Sequence, residues 1–495
     1  MKNDQLKILM GAAALLCGIS VAGQTGKKPN VLFLFADDQR ADALGCSGNS
    51  YIKTPNIDQL AHNGVRFSNS YVMGGHHGAI SAPSRAMLMS GKSLFHVYDR
   101  LAGVQTMPAY FAKFGYETFG TGKWHNEKAA FEATFQKAKN VMLGGMSDHF
   151  KVPCNDMGAD GKLAPSGTKG FSTDLFAGAA KDFLEEYSKG KRENPFFCYV
   201  AFTAPHDPRS PRTDYIGMYP DESIPVPGNF KKLHPFEFDD LLVRDEHLAP
   251  WPRTPEIIQA SLADYYALIS HLDAEVGELV KTLKAKGLFE NTIIVYAADN
   301  GLAIGSHGLL GKQSLYDDCM HVPLIVSGPG IPNDKSTDAL VYLFDLFPTL
   351  SDLCHLPAPG GIDGKNLAPV IRGEAKGVRN SLYTAYRNTV RAVRTDEWKL
   401  IRYPRRNFTQ LFNLKKDPLE IVNLANRPEC QGTVKEMTEL LMEGYKAFDD
   451  TASMAPAVIL PMEYDYTKLK QQPDQWQPEY TLKKYFKGAG TVKSE

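Results

Sequence analysis

Runs of consecutive, mostly apolar residues recur along the first two thirds of the chain. They occupy Asn30–Ala36, Phe196–Phe202, Thr292–Ala298 and Val322–Val326. A strand that is buried on both faces, as in a parallel sheet, has this continuous pattern instead of an alternating one. We therefore predict a strand at each run, and a shorter one at Tyr116–Phe119, where a helical segment ends.

Segments with helical periodicity separate these strands. The longest, about Pro255–Lys286, places Leu262 and Ile269 on one apolar stripe. Further helices are predicted at 173–187 and 343–354. Strands that alternate with helices over about 350 residues are typical of an α/β fold, with a large, mostly parallel sheet sandwiched by helices.

The pattern changes near Asn380, where apolar and polar positions begin to alternate. We expect a larger domain over residues 28–375 and a smaller C-terminal α+β subdomain, which carries an antiparallel sheet, over 376–495. The elements predicted there are strands at Tyr386–Arg394, Trp398–Tyr403 and Gln410–Leu414 and a helix at Gln431–Phe448.

Two stretches interrupt the alternation of strands and helices. Residues 126–168 are glycine-rich and weakly periodic, and we expect them to leave the core. Residues 209–255 are rich in proline and form a long insertion. Loops of this length beside a sheet edge commonly shape a substrate pocket.

The N-terminus is organised like a signal peptide. Lys2 and Lys7 precede a mostly apolar segment, Ile8–Ile19, which is short for a membrane span and is followed by small residues. We predict a signal peptide over residues 1–23. The protein is then exported, first of all to the periplasm, with the cell surface or the medium as alternatives.

Charge and cysteine content exclude some partners and sites. The formal net charge of the chain is −1, so no overall field favours nucleic acid or an anionic membrane. Six cysteines follow the signal peptide, and none belongs to a Cys-x-x-Cys pair. A zinc site of that type is therefore unsupported.

Several predicted strands lead directly into polar side chains. The carboxyl ends of parallel strands meet at one sheet edge, where ligands bind in such folds, so we expect these side chains to lie together. Adjacent carboxylates repel each other unless a cation lies between them, although a solvated turn also explains a single aspartate. The side chains concerned are Asp37, Asp38, Lys123, His125, His206, Asp299 and Asn300.

The stretch Ser81–Arg85 has the composition of a helix start. Pro83 suits the first turn of a helix, and the apolar residues after it can continue that helix. Ser81 would then lie at an N-terminus that favours negative charge, with Arg85 about one turn along. This indicates either a nucleophile beside an anion site or an ordinary capping serine, and these five residues alone favour the cap.

Taken together, the motifs resemble those of the type I sulfatases, within the alkaline-phosphatase-like superfamily. Ser81-Ala82-Pro83-Ser84-Arg85 is similar to the Cys/Ser-x-Pro-x-Arg signature of that family. The resemblance covers the chain from Asn30 to about Asn426. The other matching motifs are Ala36-Asp37-Asp38, Gly122-Lys123-Trp124-His125, Ala204-Pro205-His206, Ala298-Asp299-Asn300-Gly301 and Gly311-Lys312.

The first residue of the signature is oxidised to formylglycine in that family. The resemblance implies that Ser81 becomes this aldehyde and that its hydrate is the nucleophile. One hydroxyl would attack sulfur, and the other would later expel sulfate and restore the aldehyde. A serine in place of the commoner cysteine also implies a bacterial member that is matured by a radical, anaerobic sulfatase-maturating enzyme.

The side chains concerned offer oxygen ligands, which suit the hard cations Ca²⁺ and Mg²⁺. The resemblance implies one bound Ca²⁺, with Mg²⁺ less favoured. The implied ligands are Asp37, Asp38, Asp299, Asn300 and the oxygen derived from Ser81. The other implied roles are Arg85 orienting the hydrate, Lys123 and Lys312 binding sulfate oxygens, His125 assisting breakdown of the covalent sulfate intermediate, and His206 protonating the departing alcohol.

Other residues are candidates for substrate contact. For His307, pocket lining and backbone support are equally plausible, and Arg391 is placed with Arg209, Arg212 and Arg394 on the leaving-group side. His76 and His77 are interpreted as loop residues, because the metal already has oxygen ligands. The family pattern is not followed at Tyr316-Asp317 and His321, and we expect those differences to affect subdomain packing or pocket shape.

Three functions are weighed. The first is an exported sulfatase acting on O-sulfated carbohydrate, such as glycosaminoglycan or mucin-type glycan. The second keeps the fold and changes the ester, as in a phosphodiesterase or phosphonate hydrolase. The third is an inactive relative that only binds glycan.

Overall fold

The computed structural model describes residues 27–167, 170–469 and 472–486. The predicted signal peptide, residues 1–23, lies outside these ranges. Among the residues described, no helix has the combined length and apolar character that a membrane crossing requires.

Strands and helices alternate along most of the described chain. The strands in chain order are β1 (Asn30–Ala36), β2 (Gly64–Phe67), β3 (Ser70–Tyr71), β4 (Gly74–Gly75), β5 (Glu117–Trp124), β6 (Lys137–Leu143), β7 (Asn155–Met157), β8 (Leu163–Pro165), β9 (Phe196–Ala201), β10 (Thr292–Ala298), β11 (Leu324–Ser327), β12 (Lys335–Thr337), β13 (Val341–Tyr342), β14 (Leu382–Tyr386), β15 (Val390–Arg394), β16 (Trp398–Tyr403) and β17 (Phe408–Asn413). The helices are α1 (Pro55–His62), α2 (Ser81–Ser90), α3 (Met107–Lys113), α4 (Lys128–Thr134), α5 (Ser172–Lys189), α6 (Pro255–Ala285), α7 (Asp317–Met320), α8 (Leu346–Leu353), α9 (Ala368–Ile371), α10 (Gln431–Ala447) and α11 (Glu479–Tyr485).

A ten-stranded sheet forms the core, in the order β12-β2-β11-β10-β1-β9-β5-β6-β7-β8. Its five central strands, β10 to β6 in that order, run parallel, whereas antiparallel pairs occur towards both margins. Three of the apolar runs became β1, β9 and β10 in the middle of the sheet, and the fourth became β11 beside them, because both faces of these strands are covered. The predicted α/β class is confirmed.

Helices cover both faces of this sheet. In β9, Phe196 packs against Tyr187 of α5, whereas its neighbour Phe197 packs against Phe111 of α3. Successive residues of a strand point to opposite faces, so α5 and α3 lie on opposite sides of the sheet. The long helix α6 packs on α5 and joins its layer.

The expectation that residues 126–168 leave the core is wrong in part. This stretch contains α4 and then β6, which pairs in parallel with β5 inside the main sheet. In β6, exposed Lys137 and Lys139 alternate with the buried Ala138. The strand therefore lacks the continuous apolar run that marks the central strands, and the sequence pattern concealed it.

The C-terminal sheet has the order β17-β16-β15-β14-β4. The single strand predicted at Tyr386–Arg394 is wrong: the chain turns at Arg387, which has a φ of 44°, so Tyr386 ends β14 and Val390 begins β15. The last strand, β4, is parallel to β14 and lies just before Ser81 in sequence. The C-terminal sheet is thus bound directly to the segment that leads into α2.

Candidate active site

The predicted convergence of polar side chains at one sheet edge is confirmed. The register pairs Ala36 with Ala298, so Asp37 and Asp299 leave adjacent strands side by side. The backbone N–H of Asp38 donates to Asp299 Oδ1 at 3.0 Å. Asp38 has a φ of 62°, a left-handed conformation that is uncommon for a residue with a side chain and is found disproportionately at functional sites.

Ser81 begins α2 and is fully buried, and its hydroxyl lies in a polar environment. Its Oγ donates to Asn300 Oδ1 at 3.1 Å, lies 3.4 Å from Asp37 Oδ1, and accepts from Lys312 Nζ at 3.1 Å. None of the described histidines hydrogen-bonds to it. An unmodified Ser81 therefore lacks the imidazole base that activates serine in hydrolases.

Three carboxylates and three basic side chains form ion pairs around Ser81, and we call these six residues the charged cluster. All six are buried, and their formal charges cancel. A site of zero net charge offers an anionic ester little attraction while its lysines stay paired. The pairs are Lys123 Nζ with Asp37 Oδ2 at 2.5 Å, Lys312 Nζ with Asp38 Oδ1 at 2.6 Å, and Arg85 Nη2 with Asp299 Oδ2 at 2.8 Å.

The carboxylates of the charged cluster do not titrate alike. Burial, reinforced by the negative charge of Asp299, raises the pKa of Asp37 well above its usual value. Burial also acts on Asp299, but Arg85 and Lys123 outweigh it and lower the pKa of that carboxyl. Burial therefore disfavours the charged form of Asp37, and a further cation beside it would stabilise that form.

The donors near Asp37 suit a hard divalent cation. Ligand atoms of Asp37, Asp38 and His206 all lie within 4.8 Å of one another. Asn300 Oδ1 faces the same region, because it accepts the bond from Ser81. Carboxylate and amide oxygens dominate this set, as in Ca²⁺ and Mg²⁺ sites, so the buried cluster could hold such an ion.

A bulge in β5 determines where Lys123 lies. The pairing of β5 with β6 shifts between Gly120 and Gly122. Gly122 has a φ of 89°, and a Cβ there would lie 1.8 Å from the carbonyl oxygen of Ala201. Only glycine fits this position, and the bulge carries Lys123 to Asp37 at the end of the strand.

Two histidines line the cavity beside the cluster. His206 Nε2 lies 3.6 Å from Asp38 Oδ2, and its Nδ1 bonds to the carbonyl oxygen of Asp207 at 2.7 Å. Burial lowers the pKa of His206 well below its usual value, although Asp207 opposes the shift. Burial and the nearby Lys123 lower the pKa of His125 to about 2. Burial thus favours the neutral form of both imidazoles.

The cluster opens into a cavity of about 610 Å³. Its floor includes His125, His206 and Lys312, and its walls come from distant parts of the chain. The wall residues with polar or large side chains are Met146, Val243, Arg244, Asp245, Gln313, Arg387, Asp474, Gln475 and Trp476. The insertion at 209–255 supplies Arg244 and Asp245, so its predicted part in the pocket is confirmed.

Arg391 lies outside this cavity, which corrects its prediction as a substrate contact. Its side chain is buried, and its Nε pairs with Asp450 Oδ2 at 2.5 Å. Its Nη1 donates to the carbonyl oxygens of Arg387 and Val390. Because all of its polar groups face protein atoms, the guanidinium holds the C-terminal subdomain together.

His307 also has a supporting role in place of the substrate contact. Its ring stacks on Tyr316 with a centroid distance of 3.7 Å, and its Nε2 lies 3.1 Å from Asn229 Nδ2. Burial lowers its pKa to about 2. Tyr316 in turn hydrogen-bonds to Gln410 of the C-terminal sheet at 3.1 Å, so the stacked pair lies against that sheet.

The remaining candidate side chains lie away from the cavity lining. Arg209 is buried, Arg212 pairs with Asp174 and Asp214, and Arg394 lies over the ring of Tyr71. His76 bonds to the carbonyl oxygen of Leu94 and His77 to Asp99, as expected for loop residues.

All six cysteines of the described residues are free thiols.

The wall residues Arg244, Arg387 and Trp476 were missed by sequence reasoning. Arg244 and Trp476 lie in segments without strand or helix periodicity, whereas Arg387 falls inside the single strand predicted at Tyr386–Arg394. No family motif covers any of the three. Composition alone could have pointed to Trp476. It is an isolated Trp in a proline-rich, poorly periodic tail, where no predicted core would bury it.

Comparison with known proteins gives a consistent result. The family model described as Sulfatase matches residues 29–356, and the model of the N-sulphoglucosamine sulphohydrolase C-terminal region matches residues 305–447. The chain is 28% identical to the N-acetylglucosamine-6-O-sulfatase of Bacteroides thetaiotaomicron, over 91% of this chain and 92% of that protein.

Solved structures share the fold. The structure of BT4656 in complex with its substrate D-glucosamine-2-N,6-O-disulfate superposes with a TM-score of 0.72 at 26% identity, covering 86% of this chain and 99% of that one. The phosphonate monoester hydrolase of Agrobacterium radiobacter superposes with a TM-score of 0.66 at 22% identity, covering 85% and 96%. The match to the phosphonate monoester hydrolase shows a shared fold and nothing further.

Proposed function

Because the chain belongs to the sulfatase family of sulfuric ester hydrolases, we propose that it removes sulfate from O-sulfated carbohydrate at Ser81. One observation carries this proposal: the Ser81 hydroxyl lies at a helix N-terminus, 3.1 Å from Lys312, inside the charged cluster. The names of the relatives support a sulfated-sugar substrate, and a glycosaminoglycan or mucin-type glycan is the class that we propose.

Ser81 as encoded is the precursor of the nucleophile. We infer that a radical, anaerobic maturase removes two hydrogen atoms from its side chain, which converts the CH₂OH group into the aldehyde of formylglycine. The hydrated aldehyde carries two hydroxyls on one carbon, so one can attack sulfur while the other remains to restore the aldehyde. In the part of the chain that the structure describes, no histidine hydrogen-bonds to Ser81, so a plain serine there would have no imidazole base.

The oxygen donors would hold Ca²⁺, with Mg²⁺ as the alternative. The residues that would bind it are Asp37, Asp38, Asp299, Asn300 and the modified Ser81. Such an ion supplies positive charge that attracts the ester and lowers the pKa of a bound hydroxyl. Lys123 and Lys312, which pair with Asp37 and Asp38, would bind sulfate oxygens in the substrate complex.

His206 and His125 would divide the proton transfers. A general acid must be protonated, whereas burial lowers the pKa of His206 and favours its neutral form. A sulfate ester bound beside its Nε2 adds negative charge, which raises its pKa towards the protonated state. His125, whose Nδ1 is buried without a partner, can accept a proton during release of sulfate.

Arg85 contacts Asp299 and does not hydrogen-bond to Ser81 in the described residues. Its Nε and Nη2 both bind Asp299 Oδ2 at 2.8 Å, and its Nη1 donates to the carbonyl oxygen of Lys123 at 3.1 Å. It therefore fixes one proposed metal ligand and the end of β5. Orientation of the hydrate, the role that the family resemblance implies, remains a prediction.

The two other hypotheses make distinct predictions. A phosphonate or phosphodiester hydrolase would share the fold, so only its substrate distinguishes it. A glycan-binding relative without activity would be expected if Ser81 were never matured. Co-expression with a maturase, followed by assay of sulfated monosaccharides, 4-nitrophenyl sulfate and a phosphonate monoester, separates the three. We expect turnover of at least one sulfated sugar, and turnover of the phosphonate alone would overturn the proposal.

Export is part of the proposal. The N-terminal segment 1–23 would direct the chain through the inner membrane to the periplasm, where sulfated glycan fragments can reach it. N-terminal sequencing of protein from a periplasmic fraction tests this. Recovery of the uncut chain in the cytosolic fraction would contradict it.

A further inference from the structure

The outer wall of the cavity includes a segment from near the C-terminus. Asp474, Gln475 and Trp476 all line the cavity that contains His125 and His206. These tail residues follow the proposed general acid by almost 270 positions in sequence. Their presence at the cavity mouth requires specific anchors, which the structure shows.

The first anchor connects the tail to the residue next to His206. Arg244 donates through Nη2 to Asp474 Oδ2 at 3.0 Å and through Nη1 to Asp207 Oδ1 at 2.9 Å. The side chain of Asp474 is 7% exposed, and Gln477 is buried beside it with its Nε2 3.4 Å from Asp207 Oδ2. Buried charge-assisted bonds of this kind fix a loop much more firmly than exposed pairs do.

The second anchor follows immediately in α11. Tyr480 and Lys484 each place a polar atom 2.9 Å from Asp264 Oδ1, and Tyr485 donates to Asp264 Oδ2 at 2.7 Å. Asp264 belongs to α6, a central helix of the larger domain. The tail is therefore tied down on both sides of Trp476.

Trp476 nevertheless leaves 62% of its surface exposed. Among the described residues that line the cavity, it is the only Trp, Tyr or Phe. A large aromatic side chain anchored at a cavity mouth with much of its surface in water presents apolar area that a ligand in the cavity can cover. The flat π face of an indole is complementary to the polarised C–H face of a pyranose ring.

We propose that Trp476 is a specificity-determining residue on which a pyranose ring of the sulfated substrate stacks. This inference rests on the proposed function and adds a contact to its substrate class. The charged cluster binds the sulfate group, whereas Trp476 contacts the carbohydrate. Arg244 is a positioning residue, because it holds Asp474 and with it the tail.

Steady-state kinetics of the matured full-length enzyme test the inference. The substrate is the sulfated monosaccharide with the highest kcat/KM in the assay described above, and inorganic sulfate serves as product inhibitor. We expect Trp476→Ala to raise KM roughly tenfold, equivalent to about 1.4 kcal/mol, with kcat nearly unchanged. Trp476→Phe should restore most of the affinity, since it keeps an aromatic face. The inhibition constant of inorganic sulfate should not change.

Tyr466→Ala is the matched control, because Tyr466 is an exposed aromatic of the same tail outside the cavity lining. It should leave KM unchanged. An unchanged KM in Trp476→Ala would overturn the inference, as would an equal weakening of inorganic sulfate, which would indicate collapse of the site instead of a lost sugar contact. If the wild-type enzyme cleaves no sulfated sugar, the proposed function itself fails.

Discussion

The floor and the wall of the cavity are built in different ways. The floor rests on the charged cluster, whose residues lie at strand ends, in α2 and, for Lys312, in the loop after β10, and every member is buried in an ion pair. The wall comes from an insertion, a hairpin turn and the tail, and it includes the half-exposed Arg387 and Trp476. A rigid floor suits chemistry that all substrates share, and a wall of loops suits the part that differs between substrates.

The largest effect on kcat/KM is expected from Asp299→Ala, in the charged cluster beneath the floor. The change removes a proposed metal ligand and leaves Arg85 without its carboxylate partner. We expect kcat/KM to fall by roughly 10³-fold or more, as when electrostatic stabilisation of a transition state is lost. Kinetics and metal analysis of the purified variant measure the effect.

Asp182→Ala is the control, because Asp182 lies exposed on α5. It should keep both activity and metal content. Asp299→Ala with the metal content and kcat/KM of the wild type would remove Asp299 from the site.

A smaller effect, on kcat, is expected from Gly145→Ala, where the floor of the cavity meets its wall. A Cβ at Gly145 would lie 2.5 Å from His125 Nε2, so the imidazole must move. We expect kcat to fall by about 10²-fold, the usual contribution of a positioned acid or base, while the thermal midpoint changes little. Gly178→Ala, whose Cβ meets nothing within 4 Å, is the control. Equal kcat values for both variants would exclude a catalytic role for His125.

The smallest effect on activity is expected from Arg391→Met in the C-terminal subdomain. The change leaves Asp450 buried without its cation, which should lower the free energy of unfolding by about 3 kcal/mol. Arg372→Met removes a half-exposed pair and should cost about 1 kcal/mol or less. Denaturant titration measures both values. A raised KM in Arg391→Met at intact stability would restore its predicted substrate contact.

The floor could be predicted from the sequence because its residues follow recognisable elements. Asp37 and Asp299 each end an apolar run, and parallel strands bring such ends together. The wall could not be predicted, because Arg244 and Trp476 reach the cavity only through long-range anchors such as Asp207 and Asp264.

Arg391 was predicted to contact the substrate but lies outside the cavity. Its basic side chain in an alternating pattern looked available to substrate, but the turn at Arg387 directs it into the subdomain core against Asp450. Strand β6 was missed because Lys137 and Lys139 interrupt its pattern. Periodicity thus located the strands that are covered on both faces and misjudged those at margins and hairpins.

The central claim is that Ser81 acts only after oxidation. Mass spectrometry of the peptide containing Ser81, paired with a sulfate-release assay on the same preparations, tests it most directly. Preparations with different degrees of maturation should show a loss of two hydrogen atoms from Ser81, and activity should rise in proportion to the converted fraction. Full turnover in a preparation whose Ser81 is entirely serine would contradict the account.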